Sequence, residues 1–328
     1  MSAPTAAEAP DRPTPAARLY GFATGDWVFR ILLTLAALAI PLLLAALTWE
    51  LVSGSRLAIA KYGLRFLTTS TWDPVAGQFG ALPLIFGTVV SSIIALLIAV
   101  PLSLGVAIFL TEFAPKVIRQ PIAYVVELLA AVPSVVYGLW GIFFLLPFLR
   151  TTIFPVLRST LGFLPFFQGP LYGPSMLSAG IILAIMVMPY VMSVTREVLN
   201  AVPGSQREAA LALGATRWEA AWTAVVPYAR SGIVGAVILG LGRALGETMA
   251  VTMVIGNSHD ISASLFAPGY TMAAAIANEF TEAATDIHFA ALAYAALVLF
   301  AITVLVNALA RILIWRVTQG RPSGGGDL

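Results

Sequence analysis

The sequence predicts an all-α, polytopic membrane protein with six transmembrane helices. Apolar residues make up 59% of the 328 residues, charged residues make up only 10%, and the mean hydropathy is +0.91. A soluble domain carries about 25% charged residues. Six stretches are apolar over the roughly 20 residues that a helix needs to cross a bilayer. They run from Trp27 to Leu51, Leu84 to Leu110, Ile122 to Leu149, Met176 to Val194, Ser231 to Ile255 and Phe289 to Trp315.

The first predicted span has the features of a retained signal anchor. Its apolar core is longer than the roughly 7–15 residues of a secretory signal, and no clear small-x-small cleavage site ends it. Residues 1–26 are rich in Ala and Pro and lack apolar periodicity, which predicts a disordered tail. Residues 27–316 then form the membrane domain, and residues 317–328 form a second cytoplasmic tail.

The distribution of positive charge predicts the orientation. With the N-terminus inside, the inner segments hold twelve of the 18 Lys and Arg residues, the outer segments hold five, and Arg243 remains. Cytoplasmic loops carry the excess of positive charge, so both termini are expected in the cytoplasm. The inner residues are Arg12, Arg18, Arg30, Lys116, Arg119, Arg196, Arg207, Arg217, Arg230, Arg311, Arg316 and Arg321.

Several classes of site are absent from the sequence. There is no cysteine, which excludes disulfides and thiolate chemistry, and the net charge of +2 is too small to suggest a nucleic-acid partner. The two histidines, His259 and His288, flank a polar outer loop, and solvated rings are expected there rather than metal ligands. No HExxH or GxSxG motif occurs, and no lysine follows a glycine-rich run as in a P-loop. We therefore expect no enzymatic activity, no metal and no cofactor.

Two opposite charges, Arg243 and Glu247, lie within the fifth predicted span. On one continuous helix these positions share a face, about 6 Å apart along the axis, and can neutralise one another. Ionisable residues at that depth commonly mark a solute pathway, and a guanidinium suits an oxyanion. Gly240, Gly242 and Gly246 would let a neighbouring backbone or a solute approach. Alternatively, the pair fixes helix packing and never touches a solute.

The third predicted span contributes two further candidate pathway residues. Glu127 lies near its cytoplasmic start, where a snorkelling or capping role is as plausible as a pathway role. Pro133 removes a backbone donor and is expected to kink the helix. Ser134 beside such a kink could line a gate.

The cytoplasmic loop between the fourth and fifth spans, residues 203–229, predicts two short helices. Ser205 and Glu208 have the spacing of a capping box, so the first helix is expected to start at Ser205. Gly214 fits the left-handed residue that closes a helix. Thr216 and Glu219 repeat the capping box, so the second helix follows the bend at Gly214.

This loop resembles the E-A-A loop of the permeases of bacterial ABC importers. The match consists of Glu208, Ala209, Ala210, Gly214 and Pro227, with Ala224 and Val226 in place of the usual Ile and Leu. The resemblance implies a coupling helix that docks in a cleft of a separate ATPase subunit. The alternative is that Glu208 only caps a helix.

Three longer runs resemble one family more specifically, the PstC-type permeases of bacterial phosphate importers. They are residues 79–88, 127–138 and 242–248. The resemblance implies a type I ABC importer permease fold in the bacterial inner membrane, surrounded by lipid and forming half of a phosphate pathway. It implies a PstA-like second permease, two ATP-binding ATPase subunits and an extracytoplasmic phosphate-binding protein as partners. In the family, the residues matching Arg243 and Glu247 are tied to transport.

Few residues in the sequence indicate which solute is transported. Glu247 could accept a hydrogen bond from a protonated phosphate oxygen, which fully ionised sulfate cannot donate. The alternatives are an importer permease for another oxyanion, molybdate or sulfate, and a secondary transporter. A secondary transporter often shows two related halves, and the sequence has no obvious internal repeat.

Overall fold

The computed structural model describes residues 24–319, which are mainly helical. The helices are α1 (Thr24–Gly54), α2 (Arg56–Tyr62), α3 (Leu82–Phe113), α4 (Lys116–Ala131), α5 (Ser134–Leu161), α6 (Met176–Asn200), α7 (Gly204–Ala212), α8 (Arg217–Gly246), α9 (Met249–Ile255), α10 (Met272–Glu279) and α11 (Asp286–Gln319). An antiparallel hairpin pairs β1 (Trp72–Asp73) with β2 (Gln78–Phe79). The described chain divides into two compact units, the first ending at Ser53 and the second starting at Gly54.

Six helices of the described chain are long and apolar enough to cross a membrane: α1, α3, α5, α6, α8 and α11. The predicted number of spans is therefore confirmed. The helical regions begin at Thr24 and extend to Gln319. Residues 1–23 and 320–328, which make up most of the two predicted tails, lie outside the described residues.

The predicted third span, Ile122 to Leu149, is wrong. The helix is interrupted at Val132 and Pro133, whose backbones are extended with ψ of 130° and 140°. Proline cannot donate to the preceding turn, and it disfavours helical geometry in the residue before it. The amphipathic helix α4 therefore stands as a separate element, and the membrane-crossing helix α5 starts at Ser134.

The predicted fifth span, Ser231 to Ile255, also contains a break. Helix α8 starts earlier, at Arg217, and ends at Gly246. Glu247 has extended geometry, with φ of −70° and ψ of 127°, and α9 follows from Met249. Glycine is among the weakest helix formers, so the glycines near this end of α8 favour termination there.

Helix α6 occupies the centre of the second unit. It is the most buried of the six spans and packs against α3, α4, α5, α8 and α9. Gly240 of α8 lies directly on Val187 and Val191 of α6, where a Cβ atom would come within 2.9 Å and 2.6 Å of their methyl groups. The missing side chain thus lets the two helices approach closely.

Two smaller clusters lie on either side of this central core. At one end, the last turns of α3 and α6 pack against the start of α8 and the neighbouring α7, through Leu110, Leu199 and Val225. We call this the α7 end. At the other, the hairpin packs with α2, α10 and α11, and Phe66 and Phe79 are fully buried. We call this the hairpin end.

Candidate functional site

Arg243, in the last turn of α8, is held by an aromatic ring rather than by a carboxylate. Its Cζ atom lies 4.3 Å from the centre of the Tyr190 ring of α6. Its Nε atom is buried and has no hydrogen-bond partner within the part of the chain that the structure describes. A permanently charged fork of donors thus remains available beside the central core.

The predicted ion pair between Arg243 and Glu247 is not formed. Because α8 ends at Gly246, Glu247 does not continue the helix, and the two side chains do not share a helical face. Ion pairs among the described residues include Arg196 with Glu127, Arg207 with Glu112, and His259 and His288 with Glu279. The alternative in which the two charges neutralise one another to fix packing therefore loses its geometric basis.

Two tyrosines satisfy backbone carbonyls at the break between α4 and α5. Tyr137, one turn into α5, donates its hydroxyl to the Leu129 carbonyl at 2.8 Å. Tyr190, from α6, donates to the Ala130 carbonyl at 3.1 Å. A proline break leaves carbonyls of the preceding turn without their helical partners. The same Tyr190 therefore contacts both the broken helix and Arg243.

The other two predicted pathway residues lie on either side of this break. Ser134 is the first residue of α5 and is half-buried. Glu127, on α4, accepts a hydrogen bond of 3.0 Å from Arg196 of α6, and its side chain is 51% exposed. Glu127 thus ties α4 to α6, whereas Ser134 stands at the break itself.

The glycines near Arg243 differ in their surroundings. Gly240 is packed against α6, as described above. A Cβ atom at Gly242 or Gly246 would meet no described atom within 4 Å. These two positions therefore present open space beside Arg243, as a pathway or the face of a second subunit requires.

The predicted pair of short helices is present at the α7 end, with one correction. Helix α7 starts at Gly204, and no side-chain hydrogen bond caps its start within the described chain, so the capping box predicted at Ser205 is wrong. Pro203, the residue before the helix, has a ψ of 137°, and the helix begins two residues too early for Ser205 to act as its cap. The second predicted box is confirmed, because Thr216 and Glu219 bond reciprocally.

The bend between α7 and α8 has the predicted glycine at its centre. Gly214 has a φ of +87°, the left-handed region. Its N–H donates to the Leu211 carbonyl, and the Ala215 N–H donates to the Ala210 carbonyl. This pair of bonds is a Schellman motif, which satisfies the last carbonyls of α7.

Arg207 anchors α7 to the membrane helices, a role that the sequence analysis missed. Its guanidinium donates to the Glu112 carboxylate of α3, and also to the carbonyls of Leu199 and Val202, at 2.8 Å and 2.7 Å. Glu112 and Arg207 are 12% and 24% exposed. Only a positive charge in the loop was visible in the sequence, because the carboxylate acceptor, Glu112, lies 95 residues away.

The opposite surface of α7 is open. Glu208 and Ala209 are exposed, Ala210 is half-buried, and Gly214 is exposed. The neighbouring Leu213 is 90% exposed. A firmly anchored helix with a free, largely apolar surface is suited to docking against another protein.

At the hairpin end, the two histidines are not the solvated side chains that the sequence analysis predicted. His288 is buried, and both imidazoles approach Glu279, at 3.1 Å for His288 and 3.4 Å for His259. Trp72 of the hairpin also donates its indole N–H to Glu279 at 2.8 Å. The cluster borders a cavity of about 640 Å³, and the described residues include no group of three or more side chains placed to hold a metal ion.

The chemistry of this cluster is that of a stabilised carboxylate. Burial acts to raise the pKa of Glu279, but the hydrogen bonds from Trp72 and His288 and the close approach of the His259 imidazole outweigh it and lower the pKa overall. Burial also raises the pKa of the adjacent Tyr270 to about 12. Glu279 is therefore ionised at neutral pH and joins the hairpin to α10 and α11.

Comparisons with known proteins agree with this architecture. Residues 99–319 match the family described as binding-protein-dependent transport system inner membrane component. A phosphate transport system permease protein PstC from Mesorhizobium japonicum is 49% identical over 300 residues, covering 90% of this chain and 92% of the relative. One from Haemophilus influenzae is 47% identical over 296 residues, covering 89% and 94%.

A solved structure supports the fold independently. A chain of a bacterial alginate ABC transporter, crystallised with its alginate pentasaccharide-bound periplasmic protein, superposes with a TM-score of 0.58 at 18% identity. The match covers 90% of this chain and 98% of that chain. The predicted fold, that of a type I ABC importer permease, is confirmed.

Proposed function

Because the chain belongs to the family of binding-protein-dependent transport system inner membrane components, we propose that it is the permease subunit of an ATP-driven phosphate importer. The similarity to PstC permeases carries this proposal, since it extends at 49% identity over 90% of the chain. The chain is a multi-pass membrane protein with six apolar helices. It forms half of a translocation pathway, and a second, PstA-like permease supplies the other half.

The pathway residue on this chain is Arg243. Phosphate carries one to two negative charges at neutral pH, and a guanidinium can donate two parallel hydrogen bonds to an oxyanion. The buried Nε without a partner and the open space at Gly242 and Gly246 support this role. Ser134, at the break in the neighbouring helix, and Glu247, at the end of α8, complete the proposed site.

The energy source is a separate ATPase that docks on α7. Exposed Glu208, Ala209 and Gly214, with half-buried Ala210, form the docking surface. In this proposal the α7 end and both termini lie in the cytoplasm, which the excess of Lys and Arg predicted for the inner segments supports. The hairpin end then faces the extracytoplasmic phosphate-binding protein.

The test is ATP-dependent uptake of labelled phosphate into proteoliposomes that hold the assembled complex, with molybdate and sulfate as competitors. We expect phosphate-selective uptake in the wild type and its loss in Arg243→Gln, with assembly and ATP hydrolysis retained. Uptake of another oxyanion would correct the transported solute but leave the assignment as an ATP-driven importer unchanged. Normal phosphate uptake by Arg243→Gln would show that Arg243 is not part of the pathway.

A further inference from the structure

The contact between Arg243 and Tyr190 leaves the arginine charged and without a carboxylate partner. A carboxylate beside it would neutralise the guanidinium and compete with an incoming oxyanion. An aromatic ring attracts the cation through its quadrupole without adding a formal negative charge. At 4.3 Å from the ring centre, Arg243 is well within the range of that attraction.

The position of the Tyr190 ring is itself fixed at its far end. The hydroxyl donates to the Ala130 carbonyl, in the last turn of α4 before the break at Pro133. The ring therefore has one end on a carbonyl of the broken helix and its face on the guanidinium. Displacement of the α4 end relative to α6 would act on both contacts.

We propose that Tyr190 is the positioning residue of the oxyanion site, holding the Arg243 guanidinium on its ring and linking it through its hydroxyl to the break between α4 and α5. This inference rests on the proposed pathway role of Arg243. Tyr190 contributes the π face, which keeps the arginine in place between solutes. Because the hydroxyl bonds to the Ala130 carbonyl, the position of the Arg243 guanidinium also depends on the geometry of α4 at the break.

Substitutions at Tyr190 separate the ring from the hydroxyl. Tyr190→Phe keeps the π face and loses the bond to Ala130. Tyr190→Met loses both, while its flexible side chain fills much of the same space. Tyr137→Phe is the matched control, because it also removes a hydroxyl from a carbonyl at this break, that of Leu129.

The measurement is the rate of phosphate uptake by the complete complex in proteoliposomes, as the concentration of phosphate-loaded binding protein is varied. We expect Tyr190→Met to lower the maximal uptake rate roughly tenfold, in line with the usual strength of a cation–π contact in a partly desolvated site. The apparent KM for the loaded binding protein and the basal ATP hydrolysis should stay within about twofold of wild type. Tyr190→Phe and Tyr137→Phe should each retain at least about a third of the wild-type rate.

Two outcomes would overturn the inference. One is a Tyr190→Phe variant as defective as Tyr190→Met, which would leave the ring without a role. The other is a Tyr190→Met variant within about twofold of wild type. If the methionine variant does not assemble, Tyr190→Leu replaces it. The same loss of uptake rate is expected, and a rate within about twofold of wild type would again contradict the inference.

Failure of the proposed function gives a different pattern. A wild-type complex that moves another anion would correct the cargo, and the Tyr190 variants would then be compared with that anion. Normal uptake by Arg243→Gln combined with loss in Tyr190→Met would show that the tyrosine acts on some other group, which also contradicts the inference.

Discussion

Three N–H···O distances of 2.9 to 3.2 Å join the Arg207 guanidinium to the Glu112 carboxylate, across 95 residues of sequence. The same guanidinium holds two carbonyls at the end of α6. One side chain of α7 thus bonds to α3, to the last turn of α6 and to the segment that follows α6. Helix α7 is fixed to the membrane domain at this point.

Arg207→Lys should weaken the coupling of ATP hydrolysis to transport. Lysine keeps the charge but cannot reproduce a planar fork that serves a carboxylate and two carbonyls. Loss of charge-assisted bonds of this kind costs about 1.5–3 kcal/mol each in partly buried settings. Phosphate moved per ATP hydrolysed, measured in proteoliposomes, should fall several-fold. The exposed Arg217→Lys is the control, and equal behaviour of the two variants would refute the anchoring role.

Gly214→Ala should disturb the bend between α7 and α8. A residue with a side chain pays about 1–2 kcal/mol for the left-handed conformation that Gly214 adopts at φ of +87°. We expect reduced stimulation of ATP hydrolysis by the phosphate-loaded binding protein, while the membrane domain remains folded. Gly204→Ala lies at the other end of α7 with only ordinary contact distances, and it should be near wild type.

Gly87→Ala should destabilise the hairpin end. A Cβ atom at Gly87 would lie 2.0 Å from the Tyr270 carbonyl oxygen, and a backbone group cannot move aside as a flexible side chain can. Overpacking of this kind typically costs about 1–3 kcal/mol. Thermal unfolding of the purified protein should show a lower midpoint. In the same helix, Gly105→Ala meets no described atom within 4 Å and should leave the midpoint unchanged or raise it.

Glu279→Gln should lower stability in a pH-dependent way. The folded-state pKa of Glu279 lies below the unfolded value of 4.5. Its ionised form therefore stabilises the fold fully above that value, and the contribution disappears as pH falls through the folded pKa. The thermal midpoints of wild type and Glu279→Gln should differ at pH 7 and converge in acid. Exposed Glu282→Gln borders the same cavity and serves as the control; a constant difference at every pH would contradict the assignment.

Hydropathy and charge predicted the number of spans because a bilayer demands long apolar helices whatever their neighbours. They did not locate the breaks, since an apolar average is the same on either side of Pro133 or Glu247. The error at Arg243 has the same origin. A spacing of four residues implies a shared face only where the helix continues, and α8 ends between the two charges.

The contacts that build the candidate sites were mostly invisible in the sequence for a different reason. Trp72 and Glu279 lie 207 residues apart, and Arg207 and Glu112 lie 95 apart. Local patterns describe neighbours within a turn or two, so they predicted the Thr216–Glu219 cap and the glycine bend. The ring beside Arg243 comes from another helix, and no periodicity pairs it with the arginine.

The anchoring of α7 has a mechanical consequence. Arg207 bonds to the Leu199 carbonyl, and Tyr190 lies nine residues before Leu199 in the same helix, about 14 Å along its axis. No proline or glycine interrupts the residues between them. This part of α6 is thus a stiff rod, with α7 attached at one end and the Arg243 guanidinium seated near the other. A displacement of α7 is therefore transmitted to Arg243 through one continuous stretch of α6, without an intervening flexible loop.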